Sequence, residues 1–175
     1  MPQTDLRIQN SPPPIQLFVT GGTLDKQYQT TTGELMFPAT HLPLMLQEAN
    51  TTLAIETTVL MQKDSLELTD TDRERICQAC IDTPQHTIVI THGTDTMVNT
   101  ALVLNQHPKL KHKTIVLTGA MRPFMLSHSD ASFNLGSALM AVQLASSGVY
   151  IAMNGRLFSA HQVQKNRQLG LFTEL

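Results

Sequence analysis

A chain of 175 residues, 41% hydrophobic and 15% charged, suits one domain with an ordinary core and is too apolar to remain disordered. Its formal charge of −2, with no block of like charges, argues against nucleic acid or an anionic membrane surface as the main partner. No apolar stretch approaches the ~20 residues that span a bilayer. The opening MPQTDLRIQNSPPP also lacks the basic start and apolar middle of a secretory signal, so residues 1–14 are expected to be a flexible segment and the cytoplasm the compartment.

Ile15 to Val19 reads as a buried strand that runs into Thr20-Gly21-Gly22-Thr23. The stretch Thr40 to Ala49 carries Leu42, Met45 and Leu46 at helical spacing, and Thr51 to Leu60 alternates like a further strand. Thr69 to Ile81 is helical, with early acids and an N-cap expected near Asp70 and Thr71. That start puts Cys77 and Cys80 in the second half of the helix, away from the terminus that activates a redox CxxC. With no second pair to complete a zinc site, they read as small apolar residues.

Ile88 to Ile90 runs into Thr91-His92-Gly93-Thr94-Asp95-Thr96. The next helix places Val98, Leu102 and Asn105 on one face, with Asp95 or Thr96 as its cap. Lys109 to Lys113 (KLKHK) reads as a solvated basic loop, with His107 and His112 as surface residues beside it. Ile115 to Leu117 runs into Thr118-Gly119-Ala120-Met121-Arg122. A long buried helix then begins at Asp130 or Ser132 and ends before Gly148. Gly148 to Arg156 reads as a final strand with Asn154-Gly155 at its end.

This alternation predicts an α/β fold, a mainly parallel sheet flanked by helices, with the C-terminal strand ends gathered on one edge where ligands bind. The motifs for dinucleotide, P-loop, nucleophile-elbow and HExxH zinc chemistry are absent. What gathers at the edge is hydroxyl chemistry. Thr23 follows two glycines, which would let a carbonyl approach the backbone and leave amides free for an oxyanion, and Thr94-Asp95 offers a second hydroxyl with a carboxylate.

TGGTLD, THGTDTM, LTGAMRP, SDASFNL and QVQKN, in this order, resemble the L-asparaginase/glutaminase amidohydrolases of the threonine-nucleophile type. The resemblance implies that residues 15–175 form a catalytic domain like the N-terminal domain of that family, in a short single-domain bacterial form without the C-terminal domain. It implies Thr23 as the nucleophile, with Tyr28 closing over it or merely shielding it and Gly33 as a hinge in a mobile segment. It implies a Thr94–Asp95–Lys165 triad in which Lys165 polarises Thr94 to activate water or stabilise an oxyanion. Ser65, with Asp64 before it, would hold the substrate's α-carboxylate. Asp95 would hold its α-ammonium, and Gly22 and Gly93 would border the substrate. Asp130, Asn134 and Arg122 are expected to be structural.

The implied reaction is double displacement, releasing ammonia and then aspartate from L-asparagine with weak or no glutaminase activity, and without metal or cofactor. Leu66 stands where longer members often carry glutamine, and the acidic residue that a neighbouring C-terminal domain adds is not expected. Weak binding, hence a high KM, follows. A homodimer or homotetramer is expected, with the late helix and Leu169, Leu171 and Phe172 as candidate contacts. Two alternatives stand beside this: a non-catalytic asparagine-binding module, or a hydrolase of another small amide such as glutamine or a β-aspartyl peptide.

Overall fold

The β-branched runs that begin the chain's repeating pattern form the centre of one six-stranded sheet. The structure, a computed structural model, describes residues 13–175, so residues 1–12 of the expected N-terminal segment lie outside it. The strands are β1 (Ile15–Gly21), β2 (Gln27–Gln29), β3 (Glu34–Met36), β4 (Ile55–Lys63), β5 (Thr87–Thr91), β6 (Thr114–Thr118), β7 (Gly148–Met153), β8 (Arg156–Ser159), β9 (Val163–Asn166) and β10 (Leu171–Glu174). The helices are α1 (Leu42–Glu48), α2 (Asp70–Asp82), α3 (Met97–Gln106) and α4 (Ala131–Leu144).

The sheet order is β4-β1-β5-β6-β7-β8, parallel throughout except for β8. Strands β1 and β6 are buried along their whole length, as strands covered on both faces must be. Phe18, Ile88, Ile90, Ile115 and Leu117 point to one face, under α2 and α3. Leu17, Val19, Val89 and Val116 point to the other, under α1 and α4. The chain leaves β1 for β4 on one side and returns to β5 on the other. The crevice beyond the C-terminal ends of β1 and β5 is therefore a topological switch point, where ligands of such sheets bind.

The predicted α/β class holds, and several local readings are corrected. The strand expected at 51–60 runs instead from Ile55 to Lys63, because its register is set by pairing Ile15 with Ile55 and not by its own alternation. As the sheet's edge it leaves Glu56 to Val59 exposed. The single strand expected at 148–156 is instead β7 and the start of β8, two antiparallel strands folded at Asn154-Gly155, where both residues take positive φ (55° and 72°) as a tight hairpin turn requires. Gly148 accordingly opens β7 and does not close α4.

Helix α2 is capped by Thr69, not by Asp70 or Thr71: Thr69 Oγ1 accepts from the Asp72 amide while the Asp72 carboxylate accepts from the Thr69 amide. Cys77 and Cys80 are free and face the core, and burial pushes the Cys80 thiol up to about 12. The buried face of α3 is Met97, Thr100, Ala101 and Leu104, whereas Val98 is only half-buried and Asn105 is exposed. Lys113 also departs from expectation. It is buried, and its Nζ donates to the carbonyls of Thr83 (2.5 Å) and Gln85 (3.1 Å); Leu110 is buried too, so within KLKHK only Lys109, Lys111 and His112 are solvated. Phe172 packs in the core opposite Lys165 in the β9–β10 hairpin, leaving Leu169 and Leu171 exposed.

Candidate active site

The ends of β1, β4 and β5 approach so closely that only glycine fits at three positions. A Cβ on Gly21 would lie 2.4 Å from the Lys63 nitrogen, one on Gly22 2.4 Å from the Gly93 nitrogen, and one on Gly93 2.6 Å from Ser65 Oγ. Gly22 also holds φ 86°, ψ 177°, a conformation restricted to glycine. The space that side chains at Gly22 and Gly93 would take is filled by neighbouring backbone and Ser65, which locks the three strand ends together.

Directly beyond Gly22, Thr23–Asp25 forms a 3-10 turn. Leu24 plugs into the core, and its carbonyl accepts from the Phe124 amide at 3.1 Å, so Thr23 stands half-buried on a fixed base. Asp25 is buried; it accepts from Thr40 Oγ1 (3.0 Å) and the His41 amide (2.9 Å), and desolvation raises its pKa. These bonds tie together the two ends of the segment that carries Tyr28. That segment is a β2–β3 hairpin, with Tyr28 opposite Leu35 and 51% exposed.

Four further threonines at the strand ends sort by partner. Thr20 Oγ1 donates to the Thr91 carbonyl at 2.8 Å and Thr118 Oγ1 to the Ala152 carbonyl at 2.9 Å, both fully buried. Thr91 is equally buried, and Thr96 Oγ1 donates to the Ser65 carbonyl at 2.7 Å instead of capping α3. Of the remaining two, Thr23 is half-buried and Thr94 is buried beside a cation. Lys165 Nζ, brought in on β9, donates to Thr94 Oγ1 at 2.7 Å and to Asp95 Oδ1 at 2.9 Å. Because the Thr94 oxygen accepts from the ammonium, its own hydrogen is directed elsewhere and is free to donate.

His92 supports this arrangement from beneath. Its Nδ1 donates to the Gly93 carbonyl (2.7 Å), which can only accept, so in the neutral ring Nε2 accepts from Thr100 Oγ1 (2.8 Å). Burial lowers its pKa from 6.5 to about 4, with Arg73 adding to the effect, so the ring is neutral at physiological pH. On the far side, Asp130 accepts from the amides of Met121 and Arg122 (3.0 Å each) and from Asn134 Nδ2 (2.8 Å). Asp130 thus pins the loop after β6 instead of capping α4, whose first amide, that of Ala131, donates to Ser129 Oγ at 3.1 Å. Asn134 also donates to the Gly119 carbonyl, and the Arg122 backbone is held in the same loop.

Asp64 lies at the end of β4 beside buried Ser65. Its carboxylate accepts from the Leu66 amide and forms an ion pair with Lys26, and Lys26 above all holds its pKa below the usual carboxylate value. Two cations were missed in the sequence. Lys26 follows Thr23 by one turn of chain. Arg167 Nη2 lies 3.7 Å from Asp95 Oδ1. Arg167 lies in the turn that follows β9, where no periodic pattern marks it. Beside these, Lys26, Leu35, Met36 and Phe37 on the hairpin side and Asp64, Leu66 and Glu67 on the other line an open cleft. Among the described residues no group of three or more His, Cys, Asp or Glu side chains is placed to hold a metal ion. Nor is any helix there long and apolar enough to cross a membrane.

Fold and site together define a parallel α/β protein that presents two threonines, one of them lysine-bound, at its switch point. Residues 14–172 match the family described as Asparaginase, N-terminal. The chain is similar to the glutaminase-asparaginase of Acinetobacter glutaminasificans, at 32% identity over 86% of this chain and 49% of that protein. It is also similar to the L-asparaginase of Thermococcus kodakarensis, at 38% identity over 48% of this chain and 26% of that protein. A crystal structure of a probable cytoplasmic L-asparaginase from Campylobacter jejuni superposes with a TM-score of 0.80 at 28% identity, covering 91% of this chain and 52% of that one. The chain belongs to the asparaginase family, and it spans about half the length of the curated relatives it matches.

Proposed function

We propose that residues 15–175 are a catalytic domain that hydrolyses the side-chain amide of an asparagine-type substrate through an acyl-enzyme on Thr23. The observation that carries this reading is the hydrogen bond from Lys165 to Thr94 (2.7 Å), made at the same sheet edge as the turn that bears a second, half-buried threonine. Thr23 Oγ attacks the amide carbonyl, and its proton passes to the departing nitrogen, which leaves as ammonia. Thr94, oriented by Lys165 and Asp95, donates its free hydrogen to the developing oxyanion together with a backbone amide. Each such donor is worth on the order of 3 kcal/mol in the barrier. Water then attacks the Thr23 ester, and the acid product leaves.

Ser65 is the proposed contact for the substrate carboxylate. Tyr28, exposed on its hairpin, is the proposed lid. L-asparagine is the reference substrate that the relatives' names suggest, acting in the cytoplasm and in a homo-oligomer. The test is steady-state ammonia release by the wild type beside Thr94→Val. If the reading holds, kcat falls at least a hundredfold while KM changes little, because the donor acts on the transition state. An unchanged kcat would refute the role of Thr94.

A further inference from the structure

Among the described residues, strands β2 and β3 pair only with each other, and every residue of both is exposed. Tyr28 belongs to this hairpin, and its hydroxyl would lie 3.9 Å from a Cβ at Gly33, in the hairpin's own turn. Burial therefore does not hold the hairpin to the sheet, and its position depends on what grips its base. Asp25, buried below Thr23, grips the far end through Thr40 and the His41 amide. Between these two ends, among the described residues, one side-chain ion pair joins residues 26–39 to the rest of the chain, that of Lys26 with Asp64.

Lys26 is placed to act as a clamp. Its amide donates to the Thr23 carbonyl at 3.1 Å, closing the turn that bears Thr23. Its ammonium sits 5.6 Å from the centre of the Phe37 ring, just past the end of β3, so one side chain reaches both legs of the hairpin. Its partner Asp64 stands between β4 and Ser65. The Asp64 carboxyl is held low first by Lys26 and more weakly by Lys165, the lysine bound to Thr94. The two side chains of the pair are 19% and 30% exposed, so salt screens it less than a surface pair. Glu67 lines the same open cleft, and the wall that Lys26 faces therefore carries two carboxylates. Leu35 and Met36 on the hairpin and Leu66 on that wall stand exposed along the cleft, which leaves the hairpin room to move.

Building on the amide-hydrolysis reading above, we infer that Lys26 is a positioning residue for that reaction: bridging Asp64 and Phe37, it clamps the hairpin that carries Tyr28 onto the strand ends beside Ser65. The clamp sets the fraction of molecules whose hairpin is in place. Its loss weakens substrate capture in proportion to that fraction and leaves the chemistry at Thr23 and Thr94 intact.

The experiment combines ammonia release from L-asparagine with chymotryptic nicking of the intact protein within residues 28–37, read by mass spectrometry, for the wild type, Lys26→Met and Lys26→Arg. Methionine keeps an apolar stem beside Phe37 and removes the charge, and arginine restores the charge. The expected result for Lys26→Met is a KM raised about tenfold with kcat within about threefold, and hairpin nicking about tenfold faster. Lys26→Arg should return both to near wild-type values. A Lys26 that only supports folding would lower kcat per mole of protein, leave KM unmoved and speed cleavage throughout the chain. An unchanged KM, unchanged nicking, or an arginine variant no better than methionine overturns the inference and leaves amide hydrolysis standing. Should the wild type release no ammonia, the hydrolysis reading fails by itself, and calorimetry with L-asparagine takes the place of KM. Binding about tenfold weaker in Lys26→Met, with faster hairpin nicking, supports the clamp. Equal binding, or none, refutes it.

Discussion

His92 is a neutral, fully buried imidazole that both holds the Gly93 carbonyl and accepts from Thr100, so acid should loosen the floor of the site. Its pKa is 6.5 in an unfolded chain and about 4 here, lowered chiefly by desolvation. Between these values the unfolded state binds a proton that the folded state does not. Stability therefore falls as the pH drops through this window, levels off below it, and is unaffected by His92 above it. At about 1.4 kcal/mol per pH unit the full loss is on the order of 3 kcal/mol, of which about 2 kcal/mol is reached by pH 5. The assay is urea unfolding at pH 7.5 and pH 5 for the wild type and His92→Asn, whose amide can still donate to Gly93 but cannot titrate. At pH 5 the depressed carboxylates Asp64 and Asp72 are still largely ionised, folded or unfolded, and other titrations cancel in the double difference. The wild type should lose about 2 kcal/mol more than the variant. An equal loss in both would refute the assignment of a neutral buried ring.

Gly22→Ala meets a glycine-only backbone conformation and a 2.4 Å contact with Gly93, so the variant should lose about 3 kcal/mol or more in urea unfolding, whatever its effect on activity. A near-neutral change would mean that the strand ends are not interlocked as described. Thr69→Ala removes the capping pair of α2 and should cost about 1 kcal/mol in the same assay, while Asp70→Ala, outside that reciprocal pair, should cost less. Cys80, buried with its pKa near 12, should resist a thiol reagent at pH 8 in the native protein and react within minutes once unfolded; rapid native labelling would contradict its place in the core.

The central strands were legible because Ile15–Val19, Ile88–Ile90 and Ile115–Leu117 are largely apolar runs with β-branched residues, and both faces are in fact covered. Edges and ends were less so. Strand β4 takes its register from β1; the start of α3 after Thr96 was anticipated, but the burial of Met97 and Ala101 in place of Val98 and Asn105 is set by the sheet the helix packs on. The tight turn at Asn154-Gly155 was visible as a dipeptide, but not the reversal it causes. Within the site, the motif order located Thr94, Asp95 and Lys165, which the fold then brings into contact across a separation of about seventy residues. Lys26 and Arg167 escaped because an ion pair with a distant carboxylate leaves no periodic mark. The packing role of the glycines was not legible, since close approach of two backbones is invisible in one strand's sequence.

The central claim is that Thr23 carries out amide hydrolysis with Thr94 held by Lys165. The most direct measurement is ammonia release from L-asparagine and L-glutamine by the wild type, Thr23→Ala, Thr94→Ala and Lys165→Met, each checked for native folding by circular dichroism. The account predicts ammonia from at least one amide with the wild type and a loss of a hundredfold or more in every variant. A correctly folded Thr23→Ala protein that retains wild-type turnover, or a wild type inert toward both amides, would contradict it.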